Sequence, residues 1–207
     1  MLTKKYLYFD IGLIAIIHIA GIIGIRLIPE LFLKTSFVSI IVPLGLYLFR
    51  IMPDRKSWLI ILLVYLITFF SEWIGVRFGW LFGSYNYGDS LGLKLDGVPI
   101  LMGGNWLLLA LVCRQISLRI LKNRWLIILI SALLMVFIDF LIEPLCEKLD
   151  FWEWENNLIP WSNYRDWFLI AVLNQWILSF MRFNNQMFIW SAAYVLILVL
   201  FFGSFYF

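Results

Sequence analysis

Residues 58–76 read WLIILLVYLITFFSEWIGV, and the chain continues from Arg77 to Gly88 as RFGWLFGSYNYG. The 14 residues from Trp58 to Ser71 are nearly all apolar. A water-soluble helix of this length would keep a polar face; this one has none, so its solvent is lipid. With the residues that follow, the run approaches the roughly 20 needed to cross ~30 Å of hydrocarbon. It then closes on a carboxylate, Glu72, and opens into a loop of glycines and aromatic rings.

The rest of the chain agrees. Of its 207 residues 63% are hydrophobic and 14% charged, with a mean hydropathy of +0.93, against roughly 45–50% apolar and 25% charged in soluble domains. Seven apolar segments read as spans: Leu7–Ile25, Leu31–Phe49, Trp58–Val76, Ile100–Ile116, Trp125–Ile142, Trp167–Met181 and Met187–Phe207. Lys4 and Lys5 precede the first as in a signal peptide, but that segment is too long for an h-region and lacks a small-residue cleavage site. No linker, repeat or low-complexity tract divides the chain. The expected fold is all-α: a polytopic membrane helix bundle of about seven transmembrane helices, one domain over residues 1–207. Two long aromatic-rich loops, Arg77–Pro99 and Cys146–Asp166, face outward.

Orientation follows the Lys/Arg bias. With the amino terminus in the cytoplasm, ten of the 16 Lys and Arg residues fall inside and six outside. The expected location is therefore the cell membrane, multi-pass, amino terminus cytoplasmic. Only Asp10 and Asp54 of the 13 acids then lie inside. Acids barely steer insertion, so the eleven outer ones ask for another reason. The net charge of +3 is small and no basic run alternates with aromatics, which argues against nucleic acid as a partner. Cys113 and Cys146 map to opposite ends of their spans and are not expected to bridge.

A charge at the centre of a membrane helix costs roughly 2.5–3.5 kcal/mol on insertion scales, and less near an end. Glu72 lies about a turn from the outer end of the third span. Asp139 and Glu143 lie four residues apart, on one helical face, near the outer end of the fifth, and Pro144 disfavours helix continuation at Glu143. Three acids from two spans thus reach one depth on one side, with Asn105 and Asn163 near them. Desolvation disfavours a carboxylate anion, so an acid kept from water holds its proton at neutral pH and is able to donate it. The single histidine, His18, sits midway along the first span and reads as a packing residue. One histidine makes no His-based metal cluster, acids alone make a poor zinc site, and no DDxxD-like pair of acid clusters is present for Mg²⁺ and a diphosphate. No metal and no cofactor is expected. The chain also lacks GxSxG, a P-loop and GxGxxG in a strand–helix setting.

Seven of the eleven tryptophans map to the outer side: Trp73, Trp80, Trp106, Trp152, Trp154, Trp161 and Trp167, joined by Tyr85, Tyr87 and Tyr164. An interfacial belt alone would place rings at both faces. The alternative is that rings line a pocket for a long apolar ligand and face a cation formed within it. Gly75, Gly79 and Gly83 recur every four residues. If the helix continues they form a smooth stripe for a neighbour; if it unwinds they permit turns that place the rings.

These residues carry a resemblance. EWIG at Glu72–Gly75, GWLFGSYNY at Gly79–Tyr87, Leu91–Gly92, GVP at Gly97–Pro99, Trp106, Asp139, Glu143–Pro144, FWEW at Phe151–Trp154, IPWSNY at Ile159–Tyr164 and Trp167–Phe168 together resemble the carotenoid 1,2-hydratase family, which includes gamma-carotene 1',2'-hydratases and bisanhydrobacterioruberin hydratases. Asp166 stands where that pattern leads one to expect a small residue. The resemblance implies a membrane enzyme, with no redox cofactor, that adds water across the terminal C1,C2 double bond of an acyclic carotenoid end group to give a tertiary alcohol. Its partners would be the hydrophobic carotenoid, the lipid bilayer and other carotenoid-pathway enzymes. Protonating such an alkene gives a tertiary carbocation, which needs an acid, a shield and one water. Asp139 is expected to be the acid and Glu72 or Glu143 the water-orienting base. Asn105 and Asn163 are expected to give hydrogen-bonding support, with Trp80, Tyr85, Tyr87, Trp106, Trp152, Trp154 and Tyr164 lining the substrate site.

Four alternatives differ in a readable feature. A retinal-type protein needs a Schiff-base lysine in a span, and Met187–Phe207 has none. A proton-coupled transporter would carry polar groups across the bilayer, whereas the inner halves hold little beyond Asp10 and Asn174–Gln175. A cyclase would start from the same proton and end by losing one. A non-catalytic assembly subunit would yield no product when purified.

Overall fold

The computed structural model describes residues 4–183 and 185–207. Its helices are α1 (Lys4–Leu27), α2 (Pro29–Lys34), α3 (Val38–Ile51), α4 (Arg55–Phe78), α5 (Ile100–Ile120), α6 (Arg124–Ile142), α7 (Trp161–Leu178) and α8 (Phe188–Gly203). Five rods are long and apolar enough to cross a membrane: α1, α2 with α3 as one interrupted rod, α4, α5, and α6 with the turn after it. The 18-residue α7 and the 16-residue α8 complete an all-α multi-pass membrane bundle. Helix α5 is central, packed by α3, α4, α6, α7 and α8, and its residues from Trp106 to Gln115 are buried. The bundle's outer surface is apolar, with Ile16, Ile19, Ile23, Leu59, Leu62 and Leu133 all exposed, as lipid contact requires.

The second apolar segment is broken where its sequence turns polar. Ile28 is non-helical, Pro29 opens α2, and the Thr35–Phe37 turn separates it from α3. Thr35 and Ser36 hydroxyls donate to the Leu31 and Phe32 carbonyls, occupying acceptors near the break. Asp10, fully buried on α1, accepts two hydrogen bonds from Arg50 of α3 at 2.7 and 2.8 Å. That fork is how the bundle tolerates a charge inside a span.

Asp54 caps α4, its Oδ1 accepting from the Ser57 N–H at 2.8 Å. The other end settles the glycine question. The helix stops at Phe78, and Gly79 turns left-handed (φ 64°) with its N–H on the Gly75 carbonyl, so the chain unwinds rather than extending a stripe. Gly75, still helical, gives close approach: a Cβ there would sit 2.8 Å from both the Phe82 ring and the Tyr85 hydroxyl.

The two long loops are not loops throughout. Tyr85–Tyr87 (β1) pairs antiparallel with Trp152–Trp154 (β4), in the register Tyr85 to Trp154 and Tyr87 to Trp152. YNY and WEW each alternate aromatic, polar, aromatic, so both strands send their rings inward and Asn86 and Glu153 outward. Lys94–Leu95 (β2) and Val98–Pro99 (β3) form a hairpin across Asp96–Gly97, both at positive φ, the two-residue turn that Asp-Gly favours. Helix α7 begins directly after Pro160, six residues ahead of the apolar segment at Trp167, so Asn163 lies within its first turn instead of before it. Cys113 and Cys146 are both free and buried.

Candidate active site

Glu72, Asp139 and Glu143 converge. Glu72 stands on α4 a turn and a half before its end. Asp139 stands on the last turn of α6, and Glu143 opens the 3₁₀ turn Glu143–Leu145 that Pro144 imposes. Glu143 keeps helical backbone angles and its N–H still donates to the Asp139 carbonyl, so both side chains stay on one face. All three are buried, at 1%, 4% and 2% exposure, and no salt bridge reaches any of them among the described residues. Asn163 of α7 ties two together: its Nδ2 donates to Glu143 Oε1 at 2.5 Å and to Asp139 Oδ2 at 3.4 Å.

The three acids differ in what faces them. Glu143 accepts from three N–H donors, the third and second being the indoles of Trp154 and Trp152 at 2.7 and 3.2 Å. Donors without acceptors are the surroundings of a carboxylate. Asp139 has only the long contact from Asn163. Glu72 accepts from the Tyr85 hydroxyl on Oε2, the Tyr87 hydroxyl also bears on this carboxylate, and Oε1 is buried with no hydrogen bond of good geometry. Asn163 Oδ1 is likewise buried and unpartnered. Burial, and then the neighbouring Glu72, push the Tyr85 and Tyr87 phenols well above their usual range, so both remain O–H donors. No group of three or more His, Cys, Asp and Glu side chains is placed to hold a metal ion among the described residues.

Rings close the space around the acids. The β1–β4 ribbon supplies Tyr85, Tyr87, Trp152 and Trp154 as a roof. Trp106 of α5 stacks on Trp167 of α7 with centroids 3.2 Å apart, and Trp167 stacks in turn on Phe82 at 4.4 Å. Phe82 is a non-glycine residue at φ 67° and is 1% exposed. Asp166 Oδ2 accepts from its N–H at 3.0 Å and Ser162 Oγ donates to its carbonyl at 3.0 Å. The carboxylate at position 166, unexpected from the family pattern, thus clamps the turn that holds a wall ring. Asp166→Ala leaves a buried N–H unsatisfied and is expected to cost about 1–3 kcal/mol, read as a fall in the unfolding midpoint in detergent. Arg165→Ala, which removes only the exposed partner of Asp166, should cost about 1 kcal/mol or less.

Two cavities meet here. A narrow one of about 20 Å³ is walled by the three acids, Asn105, Asn163 and the rings of Tyr85, Tyr87, Trp106, Trp152, Trp154 and Trp167. It has room for about one water molecule. An apolar cavity of about 240 Å³ runs between α1, α3, α5 and α8. Met102, Asn105, Leu109, Ile142 and Trp152 line both. The Asn105 carboxamide stands at this junction with no protein hydrogen-bond partner among the described residues. His18 lines only the apolar cavity, its Nδ1 on the Ile14 carbonyl at 2.8 Å.

Ten of the twelve residues singled out in the sequence therefore line the narrow cavity. Two do not. Trp80 is 75% exposed beyond the end of α4, stacked on Phe78, because the turn at Gly79 throws it outward. Tyr164 is half-buried on the outer side of α7 against Phe140 and Trp161; one residue past Asn163, it is rotated off the inward face. Sequence reasoning did not assign Trp167, Met102 or Leu109 to the site. The available signal was helical spacing: Trp167 is four residues after Asn163, and Met102 and Leu109 are three before and four after Asn105.

Known proteins show a related pattern. The family described as "Carotenoid biosynthesis protein" matches residues 33–207. A bisanhydrobacterioruberin hydratase from Haloarcula japonica is 33% identical over 131 residues, which is 58% of this chain and 45% of that protein. The match therefore spans less than half the length of that relative. No solved structure matches the chain.

Proposed function

The chain belongs to the carotenoid biosynthesis protein family, and we propose that it is a cofactor-independent hydratase adding water to the terminal C1,C2 double bond of an acyclic carotenoid end group. The observation that carries this reading is the adjacency of the two cavities: an apolar chamber sized for a hydrocarbon end shares a wall, Met102, Asn105, Leu109, Ile142 and Trp152, with an acid-walled space for one water.

The residues divide the work as follows. The Asp139 carboxyl O–H gives its proton to C2 of the alkene, the π pair forms the new C–H bond, and C1 becomes a tertiary cation. Asp139 suits this step because it is buried with a single long hydrogen bond. The cation forms beside indole and phenol faces and near the Glu143 carboxylate, whose charge three N–H donors hold in place. Water bound to Glu72 Oε1 and Asn163 Oδ1, the two unpartnered buried oxygens, adds through its oxygen to C1. Its surplus proton passes to Glu72 and returns to Asp139, closing the cycle with one water consumed. Asn105, at the junction, orients the water or the new hydroxyl. In the cell the protein would lie in the cell membrane with its amino terminus cytoplasmic and draw its substrate from the bilayer.

The cyclase reading starts from the same cation but has no use for a water site. Two unpartnered oxygens around a water-sized space favour capture by water. The test is incubation of membranes containing the protein with lycopene in ¹⁸O-labelled water. A product heavier by one labelled water is expected. An isomeric hydrocarbon without label would mark cyclisation and end the hydratase proposal.

A further inference from the structure

The apolar cavity has a side entrance. Its lining residues on α5, α6 and α8 are buried, except for half-buried Asn105. Every exposed residue of its wall belongs to the first two rods: Ala20 on α1 and Thr35 at the break between α2 and α3. Half-buried Ile17, Gly21, Ile25, Phe32 and Val38, with the hydroxyls of half-buried Ser36 and Ser39, complete that side. Ile16, Ile19, Ile23, Leu31 and Ile41 expose an apolar surface beside it, with Arg26, Glu30 and Lys34 exposed toward the α2 end, so this mouth lies where the lipid-facing surface meets a polar edge. The interruption of the second rod makes the gap, because the turn at Thr35–Phe37 prevents α2 and α3 from running as one continuous wall along α1. Phe32 folds over Gly24, where any side chain would collide with its ring, and so sits at the edge of the opening.

Volume decides what enters. At about 240 Å³ the cavity falls below the lower end, near 300 Å³, of pockets that enclose drug-sized ligands. A polyene of tens of carbons does not fit inside. We propose that the substrate enters sideways from the bilayer between α1 and the α2–α3 break. Only its branched end group fills the apolar cavity against Asn105, while the rest of the polyene stays outside in lipid. This rests on the hydratase reading for the reaction at the inner end but not for the route of entry. It makes the protein an end-group enzyme: it is indifferent to the far half of the chain and treats each end of a long polyene as a separate substrate.

The mouth is testable after folding is complete, which separates blockage from misfolding. Ala20→Cys and Thr35→Cys are each purified in detergent, reacted with a bulky maleimide, and compared with their own unreacted forms; the native Cys113 and Cys146 are buried. Leu59→Cys, exposed on α4, which contributes nothing to the cavity wall, is the control. Labelling at position 20 or 35 is expected to cut both bound lycopene, read by visible absorbance of the purified protein, and turnover of lycopene by about tenfold or more. A ten-carbon acyclic alkene with the same end group should be affected far less, and labelling at position 59 should change neither. Undiminished lycopene binding after labelling at both mouth positions would overturn the lateral route. Lycopene bound through an open mouth and lost on labelling, yet never hydrated, would uphold the route and remove the hydratase reading instead.

Discussion

Asp139→Asn is expected to reduce formation of the tertiary alcohol by about 10²–10⁴-fold, the range typical for loss of a general acid, with the protein still folded in the membrane. The substitution is nearly isosteric, and a carboxamide oxygen can still accept the 3.4 Å contact from Asn163 Nδ2. What it removes is the acidic proton that the proposed mechanism delivers to the alkene. Glu143 does not substitute, because three N–H donors already occupy its oxygens and the geometry suits an anion. Glu72 does not substitute either, since the Tyr85 hydroxyl donates to it. Expression in a lycopene-accumulating host with mass analysis of the pigment reads the effect, and immunodetection in the membrane fraction separates lost chemistry from lost protein. Near-normal gain of water by this variant would remove Asp139 from the proposed role.

The bundle was legible because lipid imposes a coarse rule: long apolar runs are helices, and their ends are where polarity resumes. That rule located Glu72, Asp139 and Glu143 at one depth, and i, i+4 spacing put the last two on one face. It did not show that α7 starts at Trp161, since WSNYRD is too polar to look like a span; the helix forms there because Pro160 starts it and the ribbon roofs it. Nor did it show the ribbon. Tyr85–Tyr87 and Trp152–Trp154 alternate with strand period, but each is three residues long, and 64 residues lie between their last members and first members. Only tertiary folding brings such partners together. Trp80 illustrates the opposite error. It belongs to GWLFGSYNY, one of the stretches that carry the family resemblance, yet one left-handed glycine beside it turns its ring to the outside. The role of Asp166 was invisible for a related reason. Its partner is a backbone N–H 84 residues away, and no side-chain pattern advertises a backbone donor.

The narrow cavity also predicts how the reaction divides when its water site is damaged. In Glu72→Gln the side-chain oxygen can still accept from Tyr85, but the unpartnered acceptor that faces the water position becomes an N–H donor. Asp139 is untouched, so the alkene is still protonated and the cation still forms. With no base to take the second proton, water adds slowly, and the cation returns a proton from C2 to Asp139. Alcohol formation is expected to fall about 10²-fold. In D₂O, recovered lycopene should meanwhile gain deuterium at C2 of its end group, at a rate that exceeds the residual hydration. Wild-type protein should show the reverse balance, because capture outruns return. Mass spectrometry of substrate and product from one reaction measures both. If deuterium uptake and alcohol fall together, Glu72 is required for protonation itself and the division of labour between the two spans is wrong. If neither falls, the water is held by other groups, and the unpaired Oε1 of Glu72 has no part in the chemistry.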